Sequence, residues 1–197
     1  NPSGDGRTWV ALAPCDSDAD WALSASLTDP TGKEGGVERD AFIVDTTAPA
    51  ILVQFDNNEV ANGMYFKAPR TATVTVMDRN FDPALAQVAP WARDAGNAPA
   101  AAPAIAGWRA VDRRSEWTTS VSFSHELHYG MSVAVTDLAG NVAEPYEEPE
   151  FVIDLTAPSL SIGGVNQHAA YADAVMPTIS YSDVNFDPLF ATYTLSG

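Results

Sequence analysis

Thr71-Ala72-Thr73-Val74-Thr75-Val76 reads with a period of two. Ala72, Val74 and Val76 fall on one side and three threonines on the other, the pattern of a half-buried β-strand rather than an amphipathic helix. Working outward, Ser120-Val121-Ser122-Phe123-Ser124 alternates in the same way, with Val121 and Phe123 inward. Met131, Val133 and Val135 alternate with Ser132, Ala134 and Thr136, and Phe151-Val152-Ile153 closes the series. Turn-forming clusters separate these runs at Asn62-Gly63, Asp82-Pro83, Ala139-Gly140-Asn141 and Glu144-Pro145. Short strands punctuated in this way predict an all-β fold, a two-sheet antiparallel sandwich. The stretch from Ala86 to Gly107 is rich in alanine, but Pro90, Pro99 and Pro103 would break a helix. It is expected to be an elaborated loop between strands, either a recognition surface carrying Trp91 and Trp108 or a solvated insertion.

The same words recur. Phe42-Ile43-Val44-Asp45-Thr46-Thr47-Ala48-Pro49 returns as Phe151-Val152-Ile153-Asp154-Leu155-Thr156-Ala157-Pro158, a shift of 109 residues (151 − 42). Each copy is followed by Asp-x-Asn-Phe-Asp-Pro, at Asp78 to Pro83 and at Asp183 to Pro188, a shift of 105 (183 − 78). Trp9 to Gly32 can be laid on Trp117 to Gly140 at a shift of 108 (117 − 9). In this register residues 1–44 are the second half of one repeat, 45–153 a complete repeat, and 154–197 the first half of a third. Such self-similarity points to an array of modules, and the chain reads as a window on a longer protein. Half a sandwich cannot bury its apolar face, so the terminal halves are expected to be poorly ordered or to pair with something. Complementation between terminal halves of neighbouring copies is one such pairing.

The 197 residues carry 26 Asp plus Glu against 10 Lys plus Arg, a formal net charge of −16. That balance disfavours nucleic acid and anionic membrane surfaces, which require basic patches. Acidic excess serves solubility, and divalent cations are the remaining partner class. The single cysteine, Cys15, falls opposite Phe123 in the 108 register, which predicts a small buried hydrophobe rather than a reactive thiol. No transmembrane run is visible, and none is expected to insert in a membrane.

Three passages carry a family resemblance: Val44-Asp45-Thr46-Thr47-Ala48-Pro49 with its copy at Ile153 to Pro158, Val135-Thr136-Asp137-Leu138-Ala139-Gly140-Asn141, and Tyr129 opening the strand before it. Together they resemble the immunoglobulin-like repeats of large bacterial surface adhesins and cell-wall proteins, over nearly the whole chain. The first half repeat departs from the pattern, with Asp29-Pro30-Thr31-Gly32-Lys33 in place of Asp-x-Ala-Gly-Asn. The resemblance implies an immunoglobulin-like sandwich, an extracellular location at a bacterial surface or cell wall, and neighbouring repeats of the same chain as partners. It implies a non-catalytic spacer in a tandem stalk, set against a glycan- or host-protein-binding module and an accessory domain of an extracellular enzyme. It also implies calcium at module junctions, with Asp137 and Asn141 in a hairpin and Asp154 in the linker, and Asp29 and Asp45 at the preceding junction. Hard oxygen donors of this kind suit calcium, while turn capping by Asp45 and Asp154 is the competing account. Tyr129 matches a tyrosine corner.

Other chemistry finds little support. Asp78-x-Asn80-x-Asp82 resembles the start of an EF-hand, but Pro83 stands at the glycine position and Ala89 where a bidentate Glu is needed. An Asx-stabilised turn with Phe81 dropped into the core fits better. His125, His128 and His168 recur at no equivalent positions and accompany no nucleophile motif, so they are expected at the surface. No catalytic residue is expected.

Overall fold

The computed structural model describes residues 9–36, 38–112 and 115–196. Its strands are β1 (Ala19–Ala25), β2 (Glu38–Val44), β3 (Ala50–Phe55), β4 (Tyr65–Phe66), β5 (Arg70–Met77) and β6 (Ala86–Arg93). They continue with β7 (Arg109–Ala110), β8 (Glu116–Phe123), β9 (His128–Val135), β10 (Tyr146–Ile153), β11 (Ser159–Gly163) and β12 (Thr178–Ser182). Two 3-10 turns, Pro83–Leu85 and Pro188–Phe190, are the helical elements among the described residues. The molecule is all-β.

Residues 50–153 form two four-stranded sheets, ordered β3-β5-β8-β7 and β4-β10-β9-β6. Alternation decides which side chains meet between them. Ala72, Val74 and Val76 from β5 and Val121 and Phe123 from β8 are buried with Tyr129, Met131, Val133 and Val135 from β9 and Phe151 and Ile153 from β10. The Phe123 ring lies 5.1 Å from the Tyr129 ring and 5.1 Å from that of Phe151, so aromatic packing ties one sheet to the other. The core is sandwich-like, and the pairings are antiparallel except that β4 runs parallel to β10. The β9–β10 register shifts between Glu148 and Phe151, where Pro149 can offer no ladder donor.

The loop expected from Ala86 to Gly107 is corrected in its first third. Ala86–Arg93 is β6, paired antiparallel with β9 from Ala86↔Val135 to Arg93↔His128. Its place at the sheet edge explains how Pro90 is tolerated, since an edge strand needs hydrogen bonds on one side alone.

The Tyr129 hydroxyl donates to the carbonyl of His125 at 3.2 Å and accepts from the amide of His125 at 3.3 Å, with its ring buried. This is the corner predicted for it. Phe81 is also buried, its ring 5.1 Å from Trp108 and 5.9 Å from Trp117. The turn below it closes as expected, through Asn80 N–H to Asp78 Oδ1 at 2.7 Å and Ala84 N–H to Asp82 Oδ1 at 2.9 Å. Arg70 is the unexpected core member. Its guanidinium lies 3.8 Å from the Phe55 ring centroid, 4.0 Å from Phe66 and 4.5 Å from Phe151, and pairs with Glu148 at 3.3 Å.

The flanking segments each contribute one antiparallel strand pair. β1–β2 and β11–β12 each stand as a separate two-stranded sheet. They reproduce parts of the central unit, β1–β2 taking the register positions of β9–β10, and β11–β12 with the turn at Pro188–Phe190 taking those of β3–β5 with the turn at Pro83–Leu85. Cys15 corrects its expectation: it is half-buried, in a segment outside any strand, with Sγ 3.8 Å from the carbonyl of Ala13. A counterpart of Phe123 is buried only as part of a strand packed in a sandwich, and Cys15 lies outside the strands of the described residues.

Candidate metal centre and the two seams

Asp45, Asp78 and Asp137 come from three separate parts of the chain and place carboxylate oxygens within 4.8 Å of one another. Each is positioned by local chemistry. Asp137 opens the β9–β10 hairpin, where its Oδ1 accepts from the amide of Asn141 at 2.8 Å and its carbonyl from Gly140 N–H at 3.2 Å. Gly140 has φ 93°, a conformation that glycine adopts without penalty. Asp78 follows β5 and is fixed by the Asx turn to Asn80. Asp45 belongs to the linker between β2 and β3.

Two asparagines stitch the three together. Asn141 Nδ2 donates to Asp137 Oδ2 at 2.8 Å and to the carbonyl of Asp45 at 3.0 Å, while Asn80 Nδ2 donates to Asp45 Oδ2. The hairpin is also held directly to the turn, by Leu138 N–H to the carbonyl of Asn80 at 3.0 Å. Asp78 and Asp137 are buried and Asp45 is half-buried. Burial pushes the Asp78 carboxyl above its usual range; the amide of Asn80 pulls it down, and the charges of Asp137 and Asp45 push it up again. By donor chemistry the cluster suits a hard divalent cation, because three carboxylates at this spread can be spanned by calcium–oxygen distances of about 2.3–2.6 Å.

Of the residues the sequence put forward, Asp45, Asp137 and Asn141 therefore meet. Asp154 and Asp29 do not join them. Asp154 sits at the other end of the central unit, where its Oδ2 accepts from Asn185 Nδ2 at 2.9 Å. Asp29 turns back on its own hairpin, accepting from Thr31 Oγ1 at 2.7 Å and from Lys33 N–H at 2.9 Å. The Thr31 hydroxyl first, then the Lys33 amide, hold its carboxyl below the usual range. The hairpin of a unit thus meets the linker that enters it, not the linker that leaves it. Asp78 and Asn80 were missed as site residues, although their recurrence as Asp183 and Asn185 was the signal. Asn185 N–H bonds Asp183 Oδ1 at 2.7 Å and its side chain reaches Asp154, as Asn80 does toward Asp78 and Asp45.

A second contact recurs on the other side of each linker. Asp18 accepts from Thr46 N–H at 2.9 Å, from Thr46 Oγ1 at 2.7 Å and from Thr47 Oγ1. The Thr47 hydroxyl, then Thr46, hold the Asp18 carboxyl below its usual range. Glu126, 108 positions after Asp18 (126 − 18), accepts from Leu155 N–H at 2.9 Å and from Thr156 Oγ1. Arg79 adds an ion pair to Asp20, joining the central unit to the preceding hairpin.

Trp91 and Trp108 are both engaged by the protein. Trp91 in β6 lies against Gly130, where an added Cβ would fall 2.4 Å from the indole, and Arg93 stacks on the same ring at 4.7 Å. Trp108 covers Phe81. His128 pairs with Glu150 at 2.7 Å. Among the described residues, no helix is long and apolar enough to cross a membrane. The chain matches no protein-family model, no curated protein and no solved structure, so the reading of the site rests on its own geometry.

Proposed function

We propose that this chain is a non-catalytic spacer segment of a tandem immunoglobulin-like stalk, of the kind found in bacterial surface adhesins, whose work is to extend and orient other parts of an extracellular protein. The observation that carries the reading is the recurrence of one linker arrangement at two places. At each, an acidic side chain of the preceding unit holds the linker threonine, and an asparagine of the following unit holds the linker aspartate. Such a double clamp sets the angle between successive units, a property useful to a stalk and of no use to an isolated binding domain. In this reading calcium occupies the Asp45, Asp78 and Asp137 cluster and relieves the repulsion of three carboxylates at the seam.

A spin label on Cys15 and a second on an introduced Ser122→Cys measure the seam directly. A narrow distance distribution that broadens on Asp18→Ala supports a clamped linker, and a broad distribution in the parent chain overturns it. For calcium, the chain should melt higher in millimolar calcium than in chelator, and Asp137→Ala should remove the difference. Equal melting in both conditions sinks the metal assignment.

A further inference from the structure

The two linkers are clamped alike, but the charges that flank them are not. At the first joint, Asp20 of β1 pairs with Arg79 of the central unit, so opposite charges meet across it. At the second, His128 stands where Asp20 does, since the pairing His128↔Val152 repeats Asp20↔Ile43. Val184 takes the position of Arg79 (184 − 79 = 105), and Glu150 that of Ala41 (150 − 41 = 109). The ion pair has thereby moved inside the central unit, as His128 Nδ1 to Glu150 at 2.7 Å. Residues 154–197 contain no lysine or arginine to meet it. Between the two units at this place lies a cleft of about 250 Å³, lined in part by Asp94, Glu126, His128, Asp154, Asp183 and Val184. Four carboxylates therefore share it with one imidazole. Each accepts from a neutral donor: Glu126 from Leu155 N–H at 2.9 Å, Asp94 from Ala98 N–H at 2.8 Å, Asp154 from Asn185 Nδ2 at 2.9 Å and Asp183 from Asn185 N–H at 2.7 Å. Arg93, the register partner of His128 on β6, is turned to the Trp91 ring and to Asn97 Oδ1 at 3.0 Å. This side of a joint faces solvent whichever unit is whole. His128 and Glu150 are partly exposed behind the complete central unit, as Asp20 and Arg79 are in front of it.

We infer that the second joint is pH-sensitive: set less tightly at neutral pH, where its carboxylates repel, and drawn closed on mild acidification, when His128 becomes a cation shared between the units. Histidine is the side chain that ordinarily changes charge between about pH 5 and 8. Protonation leaves the Nδ1 bond to Glu150 in place and adds a proton at Nε2, which has no partner among the described residues. That proton is offered across the cleft to Asp183, whose Oδ1 is occupied by Asn185 N–H and whose Oδ2 is free among the described residues. A charge-assisted bond there joins the central unit to the following one, as Arg79 and Asp20 join it to the preceding one. The first joint lacks the response, because an arginine and an aspartate both stay charged over the range in which a histidine titrates.

This inference rests on the clamped-linker reading, and the two can fail separately. With Cys15→Ser, spin labels at Ser122→Cys and Ser161→Cys report the second joint in the 197-residue chain, both being exposed strand positions. In metal-free buffer the distance distribution should narrow between about pH 8 and about pH 6. His128→Gln keeps a hydrogen-bonding side chain without a titrating charge, and should hold the neutral-pH width throughout. His128→Asp with Val184→Arg imports the pair of the first joint, and should be narrow at both pH values. A parent distribution of equal width at the two pH values overturns the inference, as does a narrowing that survives His128→Gln. The label pair at Cys15 and Ser122→Cys reads the first joint in the same buffers. A narrow distribution there, with no response at the second joint, sinks the pH device and leaves the stalk reading standing.

Discussion

The side-chain amide of Asn141 donates to the main-chain carbonyl of Asp45 at 3.0 Å, across 96 positions of sequence. The same nitrogen reaches the buried carboxylate of Asp137, so one short side chain closes a hairpin and anchors a linker. Asn141→Ala strands both acceptors and should cost about 1–3 kcal/mol in urea denaturation. Asn141→Lys imports the residue found at the equivalent position 33, placing an ammonium among three carboxylates. That variant should fold and should lose any stabilisation by calcium, which thermal melts with and without the metal will read.

Asp78 gives the seam a pH dependence of defined sign. Its folded-state carboxyl is raised above the ordinary value near 3.8, chiefly by burial. The folded state therefore holds its proton more tightly than the unfolded chain, and this group's contribution to stability falls as pH rises from 3.8 through the raised value. Asp78→Asn keeps the oxygen that accepts from Asn80 and removes the charge. In metal-free buffer at neutral pH it should melt higher than the parent, and the two melting temperatures should converge on acidification. A parent that gains no stability relative to Asp78→Asn as the pH is lowered contradicts this account.

Arg70 is held by three aromatic rings, by Glu148, and by a bond from its Nε to the carbonyl of Asn57 at 2.9 Å. Burial lowers the pKa of the guanidinium, and Glu148 opposes that shift. Arg70→Ala should cost about 3–5 kcal/mol, because it opens a cavity and leaves the mostly buried Glu148 carboxylate with the Tyr146 hydroxyl but without its cation. Arg70→Met fills the space without the charge. With Glu148→Gln it should recover a large part of the loss in chemical denaturation.

Gly130 and Trp91 form a fitted pair across β9 and β6. Gly130→Ala should destabilise by about 1–3 kcal/mol through overpacking, and Trp91→Val should relieve it in the double variant. Strictly additive losses would show that the ring and the glycine are not in register in solution.

The fold was legible where the chain obeys a single rule. Alternation at Thr71–Val76 and Ser120–Phe123 placed β5 and β8, because both bury one face along their length. β6 was illegible because Pro90 looks like a loop signal and is tolerated only at an edge, which is a property of neighbours rather than of residues 86–93. Cys15 failed for a related reason: the register set it opposite Phe123 of β8, but the residues around it form no strand. At the seam, the family resemblance marked Asp137, Asn141 and Asp45, but it paired the hairpin with Asp154 in the leaving linker rather than with the entering one. Asp78 and Asn80 belong to the site through contacts with residues 33 or more positions away (78 − 45), and local pattern assigned them to a turn. Arg70 carried no signal at all, since a lone arginine ahead of a threonine strand reads as surface.

Asp45 is at once a link of the main chain and a wall of the acidic cluster, and those two roles share one free energy. Anything that neutralises the three carboxylates must favour the linker conformation that brings the third one in, and by reciprocity anything that fixes the linker must raise affinity at the cluster by the same factor. On the proposed calcium reading, the orientation of the preceding hairpin and the occupancy of the cluster are two readouts of a single equilibrium.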